Sequence, residues 1–175
     1  MTRTSNTVGV VLLIPDPLGS QVVRLRARLG DVLGMAIPAH VTLLPPTVVD
    51  AQCYEEFQQH LARVAGEHRP VRIEVVGTGT FRPVSEVVFL AIDGGAQACT
   101  ELNAAVCAGP VSSPSAFPFH PHITLAHDLV PEVLDQVAAD HREVRETFTV
   151  PRMCLYELDD EHGWQVRQSY PFAQR

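Results

Sequence analysis

The chain has 175 residues, of which 46% are hydrophobic and 19% are charged, a composition typical of one globular domain. All 13 basic residues are arginines, so Schiff-base and pyridoxal-phosphate enzymes, P-loop nucleotidases and ligases that carry AMP on a lysine are excluded. The net charge of −7 argues against a broad nucleic-acid-coating surface, and a nucleic-acid substrate would have to be small or held locally.

Strands and helices alternate along the predicted chain. Apolar β-branched runs predict strands, apolar residues three or four apart predict helices, and the proline- and serine-rich segment 109–121 predicts a loop. Asp50 is placed to cap the second helix and Gly66 to end it. In chain order the predicted elements are strand 8–14, helix 18–29, strand 40–44, helix 50–64, strands 71–76 and 87–92, helix 96–107, strand 122–126, helix 131–139, and strands 146–158 and 164–170.

Neither the N-terminal segment nor the cysteines indicate export. Arg3 precedes the apolar run 8–14, but a Pro-Asp-Pro sequence follows it in place of a small-residue cleavage site, which favours a buried strand over a signal peptide. No apolar stretch approaches the ~18 residues of a membrane span. The four cysteines form no Cys-x-x-Cys pair, which favours reduced thiols over disulfides or zinc. We therefore expect a cytoplasmic protein.

The order of elements repeats. Residues from about 7 to 81 and from about 86 to 172 each give a strand, a helix, a short histidine-containing strand, a helix and a strand. Such duplicated β-α-β-α-β units predict an α+β fold, in which residues 1–175 form a single bilobal domain. Each pseudo-symmetric lobe would be a sheet that faces a central cleft, with helices on the outside. A cleft of this kind is a natural ligand site.

Each half contains a His-x-Thr-Leu segment. His40 and Thr42 lie in the first half, and His122 and Thr124 occupy the equivalent positions in the second. Because residues i and i+2 of a strand share a face, each histidine should project together with its threonine. If the halves pack about a pseudo-two-fold axis, two imidazoles and two hydroxyls surround one volume.

This set of side chains fits attack at phosphorus. One histidine could deprotonate a nucleophile while the other protonates the leaving oxygen, and the threonine hydroxyls could bind phosphate oxygens. The chemistry requires neither a metal nor a cofactor. We expect His40 to act as the base and His122 as the acid, with the reverse assignment open.

The paired segments resemble the signature of the two-histidine (2H) phosphoesterase superfamily, and in particular its bacterial 2'-5' RNA ligase-like branch, which includes RNA 2',3'-cyclic phosphodiesterases. The resemblance implies a bilobal α+β fold with a central cleft and metal-independent opening of 2',3'-cyclic phosphates to 2'-phosphates. It implies that His40 and His122 are catalytic and that Thr42 and Thr124 bind phosphate. Any 2'-5' ligation would run the same reaction backwards, without a lysyl-adenylate.

Further residues are candidates for substrate binding at the cleft edge. Phe81 could stack on a base and Arg82 could reach a phosphate, although Phe81 could equally pack between the lobes. The arginine-rich run 24–28 predicts a solvated surface. We expect a monomer whose partner is a nucleotide or an RNA-terminal cyclic phosphate, with no membrane and no extended nucleic-acid surface.

The sequence leaves two alternative functions open. The first is a non-catalytic nucleotide- or RNA-binding module that uses the same cleft. The second is a metal-dependent hydrolase, because His120, His122 and His127 lie close together in the sequence. The slots that a metallo-hydrolase motif fills with aspartate and histidine hold Thr124 and Leu125 here, which disfavours the second alternative.

Overall fold

A computed structural model describes residues 5–31, 37–111, 113 and 117–174. Within these residues the chain forms eight strands and four helices, and the predicted α+β class is confirmed. The strands are β1 (Ser5–Leu13), β2 (His40–Asp50), β3 (Val71–Thr80), β4 (Val87–Ile92), β5 (His122–His127), β6 (Arg145–Val150), β7 (Arg152–Asp159) and β8 (Gly163–Pro171). The helices are α1 (Leu18–Leu29), α2 (Ala51–Glu67), α3 (Ala96–Cys107) and α4 (Pro131–His141).

The strands build two four-stranded antiparallel sheets. Sheet A has the order β2-β1-β7-β8 and sheet B has the order β5-β4-β3-β6. The sheets do not follow the predicted halves 7–81 and 86–172, because β3 joins sheet B while β7 and β8 join sheet A. The short connection between β3 and β4 makes these two strands an antiparallel hairpin, so the end of the first half is drawn into the sheet of the second.

The predicted strand 146–158 is two strands that belong to different sheets. Pro151 separates β6, which pairs with β3, from β7, which pairs with β1. Proline has no N–H to donate to a ladder, so it favours a break at this point. The prediction of a single strand was therefore wrong, and the crossing at Pro151 connects the two sheets covalently.

Strand β2 is longer than the predicted segment 40–44 and runs through Pro45 and Pro46 to Asp50. It lies at the edge of sheet A, and its pairing with β1 shifts register near the two prolines. The sheet therefore tolerates two residues that have no N–H group to donate. Asp50 occupies the N-cap of α2 without a side-chain cap hydrogen bond, and the helix continues past Gly66.

Each half of the chain supplies one helix to each sheet. From the first half, α1 packs on β5 of sheet B and α2 packs on β1, β2 and β8 of sheet A. From the second half, α3 packs mainly on β2 and α4 packs on β3, β4 and β5. Each sheet is thus covered by one helix from each half.

The main core lies between the sheets and their helices. Phe57 and Leu61 of α2 are fully buried there together with Leu12 of β1. A smaller cluster on the other face of sheet A contains Val11 and Tyr156. Strand β1 is therefore buried on both faces, which explains its near-continuous apolar sequence.

All four cysteines are free thiols, as expected from their spacing. Cys99 and Cys154 are buried, and Cys53 and Cys107 are half-buried. Among the helices of the described ranges, none has the length and apolar character needed to cross a membrane.

Candidate active site

Each His-x-Thr segment begins a strand, and the two strands present their side chains in the same way. In β2, His40 and Thr42 are half-exposed and alternate with buried neighbours, and in β5, His122 and Thr124 repeat this pattern. Both strands lie at the edge of their sheets, and the two edges are close to each other in space. The fold therefore brings together two segments that are far apart in sequence.

Both histidines are oriented by the same backbone contact. The Nδ1 atom of His40 lies 2.7 Å from the carbonyl oxygen of Pro38, and Nδ1 of His122 lies 2.7 Å from the carbonyl oxygen of His120. Because a carbonyl oxygen only accepts, Nδ1 must carry the proton in each ring. In a neutral ring this leaves the lone pair on Nε2, so Nε2 is the atom that can take or deliver a proton.

The environment favours the neutral form of both rings. Burial lowers the pKa of His40 to about 4; the charges of Arg26 and His122 act in the same direction, while the hydrogen bond to Pro38 opposes the shift. Burial also lowers the pKa of His122; the hydrogen bond to the carbonyl oxygen of His120 opposes this shift, and the charge of the His120 ring acts in the same direction as burial. Among the described residues, an arginine charge lowers the pKa of His40 but not that of His122, so His40 is the better placed of the two rings to remain neutral.

The buried Arg26 connects strand β5 to the segment that precedes strand β2. Its Nε donates to the carbonyl oxygen of Thr124 at 3.2 Å, its Nη2 donates to the same oxygen, and its Nη1 lies 3.5 Å from the carbonyl oxygen of Ile37. Thr124 belongs to β5, and Ile37 precedes the carbonyl that orients His40. One guanidinium thus fixes both halves of the site relative to each other.

The burial of Arg26 corrects the prediction that the whole run 24–28 is a solvated surface. Only 2% of Arg26 is exposed. It lies four residues after Val22 and eight after Leu18, both of which are buried on the inner face of α1. The helical spacing of Arg26 could have identified it as an inward-facing residue, whereas charge counting could not.

A cleft of about 640 Å³ opens beside these residues. Its wall is largely apolar, and neither an arginine nor a lysine is among the described residues that line it. Of the predicted site residues, the lining includes Thr42, Phe81 and His122. The described residues of the lining are Thr42, Leu43, Pro45, Phe81, Val84, Ser85, Asn103, Cys107, Ser113, Phe117, Pro118, Phe119, His120 and His122.

Phe81 belongs to an aromatic cluster around His122. Its ring lies edge-on to that of His122, with centroids 4.9 Å apart, and is 4.4 Å from the ring of Phe89. Phe89 is paired with Thr124 across β4 and β5 and lies 5.2 Å from His122. His120 completes the cluster, 5.4 Å from Phe81. Phe81 is therefore both a packing residue and a wall of the cleft.

Arg82 is directed away from the cleft. Its Nη2 forms an ion pair with Asp135 of α4 at 2.5 Å, and its Nε lies 3.4 Å from the hydroxyl of Thr80. The sequence could not indicate this orientation, because the partner lies 53 residues away on a different element. Binding of a phosphate by Arg82 stays a prediction that would require the guanidinium to leave Asp135.

The three histidines of the metal alternative are not assembled into a ligand set. His127 lies at the far end of β5 from His122, and its Nδ1 is 3.0 Å from the carboxylate of the buried Asp31. Within the described residues, no group of three or more His, Cys, Asp or Glu side chains is arranged to hold a metal ion. This geometry gives no support to the metal-dependent alternative.

Several residues of the site were not identified from the sequence. Asn103 of α3 lines the cleft and donates to the carbonyl oxygen of Leu43 at 2.7 Å, which supports the back of β2. Phe117 and Phe119 enter the lining from the predicted loop 109–121. No local sequence signal marks these residues, because their positions depend on how α3 and the loop pack.

Paired histidines and threonines on two adjoining edge strands of a bilobal α+β fold define the architecture of a two-histidine phosphoesterase. A family model described as the 2'-5' RNA ligase superfamily matches residues 14–162. The chain belongs to this superfamily, and the resemblance found in the His-x-Thr segments is confirmed.

Relatives of similar length support this assignment. The chain is 26% identical over 166 residues to a protein of Oceanobacillus iheyensis named "Putative phosphoesterase OB1230", covering 93% of this chain and 95% of that protein. A protein of Halalkalibacterium halodurans named "Putative phosphoesterase BH1439" is 28% identical over 165 residues, with 93% and 95% covered.

The fold is similar to that of E. coli LigT. The structure of LigT complexed with NADP+ matches with a TM-score of 0.70 and 18% identity, covering 97% of this chain and 99% of LigT. The structure of LigT complexed with 3'-AMP matches with a TM-score of 0.64 and 19% identity, with the same coverage. At this level of identity the likeness shows a common fold.

Proposed function

We propose that the protein is a metal-independent phosphodiesterase that opens the 2',3'-cyclic phosphate of a nucleotide or an RNA end to a 2'-phosphate. The observation that carries the proposal is the matched pair of imidazoles, each with Nδ1 bound to the carbonyl two residues earlier and Nε2 left for proton transfer. Membership of the superfamily and the bound 3'-AMP of the similar LigT structure also support it.

In the proposed reaction, Nε2 of His40 takes a proton from water as the water oxygen attacks phosphorus. The bond between phosphorus and O3' breaks in line with the attack, and O3' takes the proton carried on Nε2 of His122. The hydroxyls of Thr42 and Thr124 donate hydrogen bonds to the non-bridging oxygens, where negative charge develops. The product carries a 2'-phosphate and a free 3'-hydroxyl, and the two histidines have exchanged protonation states.

The acid must be protonated when substrate is bound, although burial lowers the pKa of His122 in the free protein. A cyclic phosphate carries a negative charge, and a nearby anion favours the imidazolium form. Substrate binding therefore raises the pKa of His122 and loads the acid. Because one histidine must be neutral and the other charged, the rate should have a bell-shaped pH profile.

The cleft favours a small substrate. Its volume of about 640 Å³ lies within the range of ligand pockets that accept a nucleotide. Phe81, Phe117 and Phe119 offer apolar surface for a base beside His122. With a net charge of −7 and a largely apolar wall, the protein is suited to grip one nucleotide or one RNA end rather than a long backbone.

The histidines are tested by replacement with asparagine. The asparagine amide nitrogen occupies nearly the place of Nδ1 and keeps the backbone contact, but it has no counterpart of Nε2. We expect His40→Asn and His122→Asn each to reduce kcat on 2',3'-cyclic AMP by about 100-fold or more. The matched control is His162→Asn, in the exposed turn between β7 and β8.

Near-full turnover by either His40→Asn or His122→Asn would contradict the mechanism. If the folded wild-type protein binds 2',3'-cyclic AMP but does not turn it over, the protein is instead a non-catalytic binding module. Loss of wild-type activity in EDTA, with recovery on adding a divalent metal, would favour the metal-dependent alternative. A cytoplasmic, monomeric protein remains part of the proposal, tested by fractionation of cells and by light scattering of the purified chain.

A further inference from the structure

A second cavity lies on the other side of sheet B from the cleft. It has a volume of about 400 Å³ and is formed between α1, the end of α4 and the start of β6. Leu90 and Leu125 of sheet B and Leu25 of α1 lie beneath it and are almost fully buried. Leu125 follows Thr124 in β5, so its side chain points to the opposite face from the catalytic threonine. We call this cavity the outer groove.

The outer groove collects positive charge in an otherwise acidic protein. Arg24 and Arg28 of α1 and Arg145 of β6 line it, together with His141 at the end of α4. Glu146 is the one acid in the described lining. Three of the chain's 13 basic residues therefore border a single cavity, while the net charge of the chain is −7.

Contacts within the described residues do not explain why Arg24 and Arg28 lie together at the groove. Arg24 and Arg28 are four residues apart, so they lie on one helix face, where like charges destabilise a helix by a few tenths of a kcal/mol. In the part of the chain that the structure describes, neither forms an ion pair. Arg24 is the weakest contributor to the lowered pKa of Asp16, which depends mainly on hydrogen bonds from Ser20.

Arg145 is held at the groove by its own backbone environment. Its Nη1 donates to the carbonyl oxygens of Arg142 at 3.1 Å and of Val144 at 2.8 Å. These contacts use one nitrogen of the guanidinium, and Arg145 also lines the groove. A partly ordered guanidinium loses less conformational freedom when it binds an anion.

We propose that the outer groove binds a small organic phosphate, whose phosphate group lies between the guanidinium groups of Arg24, Arg28 and Arg145. Arginine forks match the geometry of phosphate oxygens. A cavity of this volume suits a small molecule better than a nucleic-acid backbone, which would need an open basic track. The proposal is independent of the reaction in the cleft.

The test uses 1-naphthyl phosphate, whose fluorescence reports binding. We expect the double substitution Arg24→Gln and Arg28→Gln to weaken binding by about ten-fold or more, because two charge-assisted contacts are lost. The matched control is Arg63→Gln with Arg69→Gln, which removes the same charge from exposed positions outside the groove. Circular dichroism checks that both double variants are folded.

Two comparisons complete the experiment. 1-Naphthol, which lacks the phosphate, should bind at least ten-fold more weakly than 1-naphthyl phosphate. The variant Phe81→Ala, in the cleft, should leave the dissociation constant of the groove unchanged. Equal affinities of the two double variants, equal binding of naphthol, or loss of binding in Phe81→Ala alone would each overturn the proposal.

Discussion

The lowered pKa of His40 predicts a specific loss of stability in mild acid. Folding shifts this pKa from its ordinary value of 6.5 to about 4, mainly through burial. In the pH window between these values the unfolded chain binds a proton that the folded chain does not, so this contribution to stability is complete above 6.5 and is lost as the pH falls. At about pH 5 the difference spans about 1.5 pKa units, or about 2 kcal/mol.

The perturbation is His40→Asn, which keeps an amide donor for the carbonyl of Pro38 and cannot be protonated in this range. Urea unfolding at about pH 7.5 and about pH 5 gives the pH-dependent change in the free energy of unfolding for each protein. The wild-type protein should lose about 2 kcal/mol more than the variant. Thr42→Val, a substitution in the same strand that removes no titrating group, should retain the full wild-type pH dependence.

Identical losses in wild type and His40→Asn would refute the reasoning, since they would mean that the ring is protonated as readily in the folded chain as in the unfolded chain. A larger loss of stability in His40→Asn than in the wild type would mean that folding raises the pKa of His40 instead of lowering it. The comparison does not depend on which reaction the protein catalyses, so it tests the electrostatics of the site by itself.

Three further predictions concern single residues. Arg26→Met should lower the free energy of unfolding in urea by about 3 kcal/mol, because buried carbonyl oxygens lose their donor. It should also reduce kcat more than it changes KM, because the two histidine-bearing strands lose their link; an unchanged kcat would refute this positioning role. Phe81→Ala should raise KM for 2',3'-cyclic AMP about ten-fold in steady-state assays, and an unchanged KM would remove the ring from substrate binding. Asp135→Ala should lower the free energy of unfolding by less than about 1 kcal/mol in thermal or urea unfolding, since the Asp135 carboxylate that pairs with Arg82 is itself largely exposed. A larger loss would show that the pair is structural.

Features that depend on a local repeat could be predicted from the sequence. The alternation of strand side chains placed His40 with Thr42 and His122 with Thr124, and the structure shows the same alternation at both strands. Helix α1 was predicted with the bounds that the structure shows, because its apolar spacing and Gly30 mark both ends.

Features that depend on the partner of a strand or side chain could not be predicted. No pattern within 71–76 indicates that β3 leaves the first half to pair with β4 and β6. The orientation of Arg82 depends on the position of α4, which only the packing on sheet B determines. Arg26 is a different case. Its spacing from Leu18 and Val22 places it on the buried face of α1, even though an arginine-rich run is usually solvated.

The central claim is tested most directly by the position of the phosphate in the product. Purified protein is incubated in EDTA with each of the four 2',3'-cyclic nucleoside monophosphates and with a short RNA that ends in a cyclic phosphate, and the products are assigned by phosphorus NMR. The mechanism predicts turnover in EDTA to 2'-phosphates, lost in His122→Asn. Formation of 3'-phosphates, a requirement for added metal, or no turnover of any substrate in the panel would contradict it.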